Sequence, residues 1–210
     1  MKRLVLIFSV LMTCSIYSQN DSIPVDSLHV NWHVDYAFTI DVNAFLPIDD
    51  LRSTLNNSLG IGFYFGLPLN ERLRLDLGTS VFFPSERQPI QYIGEEEVLE
   101  GGTSLSGALG LWLTHVTPLG KNWALDKRVG SGVGFFQTDI DTGKPKEEND
   151  SVHGSETLFI SVGMGLRTRV YYRNVGLKLE YFFVPYNMFK THFPSNFGNS
   201  YLTLGLSFGI

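Results

Sequence analysis

His115 and Thr117, two positions apart in LTHVTP, would offer a hydrolase a base and a nucleophile, and His33 beside Asp35 in NWHVDY would offer a base and an acid. Hydrolysis of this kind needs nucleophile, base and acid to converge in space, and no spacing in the sequence specifies that convergence. Gly130, Gly132 and Gly134 in VGSGVGFF have the glycine density of a phosphate-cradling loop, but they recur with a period of two and no helix follows. They read as strand glycines. In TDIDTGKPKEEND, Asp139, Asp141 and Gly143 begin like a calcium loop, without its third acidic ligand or its closing glutamate. The sequence therefore predicts no catalytic residue, no cofactor and no metal.

The charges that remain are spread singly along the chain. Asp35, Arg74, Asp76, Asp126, Arg128, Arg167, Arg169, Lys178 and Glu180 each sit on the polar side of a segment whose other side is apolar. Their meaning depends on where that polar side points.

Eight segments alternate with a period of two, the mark of strands. They cover about residues 30–45, 58–67, 73–83, 103–116, 123–136, 157–172, 175–183 and 201–210. In the second, Leu59, Ile61, Phe63, Phe65 and Leu67 oppose Ser58, Gly60, Gly62, Tyr64 and Gly66; in the fourth, Leu105, Leu109, Leu111 and Leu113 oppose Ser104, Ser106, Gly110 and Trp112. In the fifth, Lys127 and Ser131 interrupt the apolar side. Short connections (PLNER, TPLGKN and RN) alternate with long polar ones at about 47–56, 84–102, 137–156 and 185–200. Proline, glycine and asparagine suit the short reversals.

Length and chemistry decide which side is outside. About ten residues at roughly 3.3 Å rise, tilted near 45°, cross an apolar band of about 25 Å, and most segments keep uncharged alternation that far. Strands of soluble domains are nearer five or six residues. The polar sides are rich in glycine and serine, interspersed with Tyr64, Phe82, Trp112, Phe136, Phe159 and Phe182. Small and large side chains together fill a narrow barrel. The expected fold is all-β, an eight-stranded antiparallel up-and-down transmembrane β-barrel with leucines facing lipid. Buried unpaired charges are costly, so the nine charged residues named above are expected to pair and plug the lower lumen.

The N-terminus carries Lys2 and Arg3, an apolar run from Leu4 to Met12, then small and polar residues, the pattern of a secretory signal. Residues 1–18 are expected to be that signal, 19–29 a periplasmic segment and 30–210 the barrel. A competing reading lipidates Cys14, the one cysteine, which excludes an intrachain disulfide. Without Lys2 and Arg3 the chain is more acidic than its formal net charge of -5, which argues against a nucleic-acid partner.

With these patterns the chain resembles the small OmpA/OmpX-like eight-stranded outer-membrane barrels and, more loosely, the outer-membrane β-barrel domain proteins of Bacteroidetes-type bacteria. The resemblance implies a bacterial outer-membrane location, lipid and the assembly machinery as partners, and a monomer. It differs at SFGI, which ends on Ile210 with Phe208 two positions earlier, where such barrels finish on an aromatic. The expected role is structural or surface-interacting and not enzymatic, with the loops open to an extracellular partner. The alternatives are a lipid-modifying outer-membrane enzyme and a porin-like narrow channel or small-ligand carrier. Glu86, Glu95, Glu96, Glu97 and Glu100 are expected on solvated loops, and Tyr186, Met188, Phe189, Phe193 and Phe197 at the rim near lipid headgroups.

Overall fold

The computed structural model describes residues 37–93, 98–120, 122–140, 153–170, 173–185 and 197–209. Nine strands run in chain order: β1 Ala37–Pro47, β2 Ser58–Pro68, β3 Leu73–Phe82, β4 Ile90–Ile93, β5 Val98–Pro118, β6 Trp123–Ile140, β7 His153–Val170, β8 Arg173–Phe183 and β9 Ser200–Gly209. All but β4 pair antiparallel around a ring, β1 closing on β9 and β3 on β5. The expected closed eight-stranded barrel is present. Closure removes the open sheet edges that would otherwise seek partners.

The alternation resolves the question of faces. Leu59, Ile61, Phe63, Phe65 and Leu67 of β2 are exposed, as are Leu109, Leu111 and Leu113 of β5, while Tyr64, Phe82, Trp112, Phe159 and Phe182 are buried inside. Leu59 is 69% exposed and Trp112 0%. A belt of leucine and phenylalanine around a closed barrel is stable only against lipid, since water would charge roughly 25 cal/mol for each Å² of it.

The register explains the glycines. Tyr64 pairs with Gly78, Phe82 with Gly60, Trp112 with Gly130, Phe159 with Gly132, and Glu180 with Gly163. Each of these five lumen side chains lies across a neighbour that has none. A Cβ added at Gly130 would overlap the Trp112 ring, so the glycine density of VGSGVGFF serves packing.

The long-loop end departs from expectation in three ways. Strands β5, β6 and β7 are 21, 18 and 18 residues long, against 11 for β2 and β8, so this wall rises past the apolar belt. Strand β4, in a stretch expected to be loop, pairs with β5 from Ile90–Gly101 to Ile93–Val98. The third is a register shift between Thr103 and Leu105, which turns Ser104 outward and corrects its expected place on the lumen side. An extra residue in one strand shifts all later alternation by one, and sequence periodicity alone does not reveal it.

The β1–β2 connection is not a solvated loop. It holds a one-turn helix, α1 Leu51–Thr54, with Leu51 and Leu55 fully buried. Ile48 N–H donates to Ser200 O at 3.1 Å, Asn56 N–H to Ser85 O at 2.8 Å, and Arg87 N–H to Thr54 O at 2.7 Å, tying α1 to both sides of the mouth. Gly198, in the left-handed region at φ 86°, lies where any Cβ would collide with the Leu51 backbone.

Candidate functional site

The barrel interior has two storeys. The lower one, toward the short turns, is charged. Arg74 Nε donates to Asp76 Oδ1 at 2.5 Å and its Nη2 to Oδ2 at 3.2 Å, a fork that places both on the same side of β3. Thr114 Oγ1 donates to Asp76 Oδ2 at 2.6 Å. Arg167 Nη2 donates to Asp126 Oδ1 at 3.1 Å, joining β7 to β6. Lys178 Nζ donates to Asp41, across from β8 to β1.

Glu180 is the centre of this storey. It is fully buried, accepts from Trp112 Nε1 at 2.7 Å, and lies 3.6 Å from Lys178 Nζ and 3.8 Å from Arg128 Nε. The Trp112 N–H is shared with Ser161 Oγ at 2.8 Å. The Arg128 guanidinium carbon is 4.7 Å from the Tyr64 ring centroid and 5.1 Å from that of Trp112, and Lys178 Nζ is 4.6 Å from Tyr64. Cations desolvated over aromatic faces gain from the ring quadrupole. Four cations (Arg74, Arg128, Arg167, Lys178) thus meet four carboxylates (Asp41, Asp76, Asp126, Glu180) in ion pairs among the described residues.

Of the nine charged residues expected here, seven are brought together in this way. Asp35 lies outside the described residues, as does the side chain of Arg169. Asp41 was missed, although its place on the polar face of β1, between outward Ile40 and Val42, marks it. Nothing local in the sequence marks Thr114 and Ser161 as partners of distant acids and rings.

The upper storey is aromatic. Trp112 meets Phe159 at 5.6 Å between centroids, Phe159 meets Phe182 at 5.5 Å, Phe182 stacks on Tyr201 at 4.8 Å, and Tyr201 meets Phe45 at 4.7 Å. Offset and edge contacts at these separations add about 0.5–1.5 kcal/mol each beyond area burial. Above them Leu51, Leu55, Ile90 and Val184 close the core. Phe197, expected at the headgroups, is buried instead and meets Phe136 at 5.3 Å. Phe136, which it meets, pairs in register with the small residues Ser106 and Ser155 on the two neighbouring strands. Tyr186, Met188, Phe189 and Phe193 lie outside the described residues.

A cavity of about 50 Å³ remains at the turn end, beside Thr39, Arg167, Asn174 and Ser207. It has room for one or two waters. Arg167 and Asp126 are each 16% exposed at its edge. Replacing Arg167 by alanine is therefore expected to lower unfolding stability by only about 1–2 kcal/mol, since water can reach the bereaved carboxylate. Urea titration of the refolded barrel measures this, and an unchanged midpoint would deny the pair any role.

The other chemical candidates do not assemble. His115 faces the outer wall, with Thr117 Oγ1 3.3 Å from its Nδ1 and Lys127 as its strand partner across β6. Glu86 caps the Thr103 N–H at 3.3 Å, and its backbone bridges to Leu55. His33, Glu95, Glu96, Glu97, Asp141 and Gly143 lie outside the described residues.

No protein-family model and no curated protein matches the sequence. Among solved structures, neisserial surface protein A is similar at a TM-score of 0.50 and 11% identity, over 83% of this chain and 96% of that one. The fold is that of a small outer-membrane β-barrel. The attachment invasion locus protein Ail of Yersinia pestis aligns over 83% of this chain and 97% of its own, with a TM-score of 0.43 and 12% identity. The outer membrane enzyme PagL aligns over 83% and 98%, with a TM-score of 0.37 and 13% identity. At such identities the likeness concerns the fold alone.

Proposed function

We propose that the chain is a monomeric, non-enzymatic protein of the bacterial outer membrane, exported by residues 1–18 and presenting its long-loop end to the exterior for a structural or surface-interaction role. The observation that carries this reading is the filled lumen. Buried rings span the upper storey, paired charges the lower, and α1 lies over the mouth. A barrel of eight strands is just wide enough to be filled by side chains, and one so filled does not conduct.

The elevated wall of β5, β6 and β7, with β4 at its side, is the part best placed to meet a partner outside the cell. The lumen charges serve as packing that holds the register of the strands. Purified protein in planar bilayers is expected to give no steady conductance. Large, stable single-channel currents from the monomer would overturn the reading in favour of a channel.

A further inference from the structure

Among the described residues of the apolar belt, the basic side chains on the outer wall are gathered at one place. His115 on β5 and Lys127 on β6 are directly opposed in the register. Both point away from the lumen, because Thr114 and Val116 on either side of His115, and Arg128 beside Lys127, are the ones buried within. Both are half-buried against the wall. A third cation comes from the β2–β3 turn. Asn70 Oδ1 accepts from the N–H groups of Arg72 and Leu73 at 2.9 Å each, and Val116 N–H donates to Arg72 O at 2.8 Å, which fixes Arg72 beside the end of β5. The charges of Arg72 and Lys127 both act on the His115 ring.

The lumen cations each have a carboxylate, whereas among the described residues none pairs with Arg72 or Lys127. An ammonium on a lipid-facing wall extends toward the headgroup layer, where an anionic headgroup attracts it. Trp123, exposed on the same rim, marks that depth. Just above, exposed Leu113 and Val129 offer an apolar track for an acyl chain.

We propose that Arg72, His115 and Lys127 form a binding site for the phosphate of an anionic glycerophospholipid on the outer wall at the turn end. Arg72 and Lys127 supply charge and His115 a ring N–H donor. The choice of glycerophospholipid rests on the proposed orientation, which sets the turn end in the periplasmic leaflet. Charge complementarity selects an anionic headgroup, and the leucine wall selects a ligand with a tail.

The full chain, refolded in detergent, is titrated with phosphatidylglycerol and with phosphatidylcholine and followed by native mass spectrometry. The wild type is expected to retain phosphatidylglycerol on the order of tenfold more tightly. The double variant Arg72→Gln/Lys127→Gln should hold both lipids equally, and Lys127→Arg should keep the preference. Equal retention by the wild type overturns the site, a result that needs no variant to fold. Displacement of phosphatidylglycerol by an equal concentration of inorganic phosphate would overturn the lipid assignment in favour of a free-anion site. Heat-modifiable gel migration of the same sample separates the two readings. A shifting protein without lipid preference sinks this site alone, and a non-shifting one sinks the membrane barrel beneath it.

Discussion

Replacing Glu180 by alanine is expected to lower the stability of the barrel by about 3–5 kcal/mol, because it leaves the buried cations Arg128 and Lys178 short of a counter-charge. The carboxylate is fully buried and holds Trp112, Lys178 and Arg128 from one position. Lys178 retains Asp41, whereas Arg128 would keep the rings of Tyr64 and Trp112 and the more distant charges of Asp76 and Asp41, with no ion pair of its own among the described residues. Trp112 would still have Ser161. The loss is therefore one of charge more than of hydrogen bonding, and Glu180→Gln, which keeps an acceptor near Trp112, should recover little of it. Removing a cation as well, in Glu180→Ala/Lys178→Met, should cost less than the sum of the two single changes, since the pair is coupled. Urea unfolding midpoints of the wild type, Glu180→Ala, Glu180→Gln, Lys178→Met and the double variant provide the measurement. A Glu180→Ala midpoint equal to the wild type would show that the lower storey does not hold the barrel together.

Arginine in place of Leu111 should destabilise the folded state by about 2–4 kcal/mol in phospholipid vesicles, the cost of a charge near the bilayer midplane. Leu111 is 49% exposed on the outer wall, between Leu109 and Leu113 on the same side of β5. On the surface of a water-soluble protein the same change would move stability by no more than about 0.5 kcal/mol. The two environments therefore predict results several-fold apart for one substitution. Leu111→Ala controls for the lost side chain, and a Leu111→Arg protein as stable as that control would place the leucine belt in water.

How much was legible in the sequence differs between the outer wall and the interior. The alternation in SLGIGFYFGLP states both sides of β2 outright, because a strand turns successive side chains to opposite faces. The glycine-rich polar sides, too rich in aromatics for a solvent face, indicated a narrow filled lumen. The interruption at Ser104 was not legible, since a bulge preserves composition while shifting phase. Nor was the burial of Leu51 and Leu55. Their spacing of four suits one helical face, but a single turn has no stability of its own, and only the barrel mouth gives it something to pack against.

The sequence by itself determined the eight ring strands, their faces apart from Ser104, the rim that carries the short turns and seven of the charges found inside, because these follow from a period of two and from chain reversals local to each segment. Only the tertiary structure decided who pairs with whom. Thr114 meets Asp76 across 38 positions, Trp112 meets Glu180 across 68, and Lys178 meets Asp41 across 137. Such pairings depend on the stagger with which eight strands close, and no single strand contains that quantity.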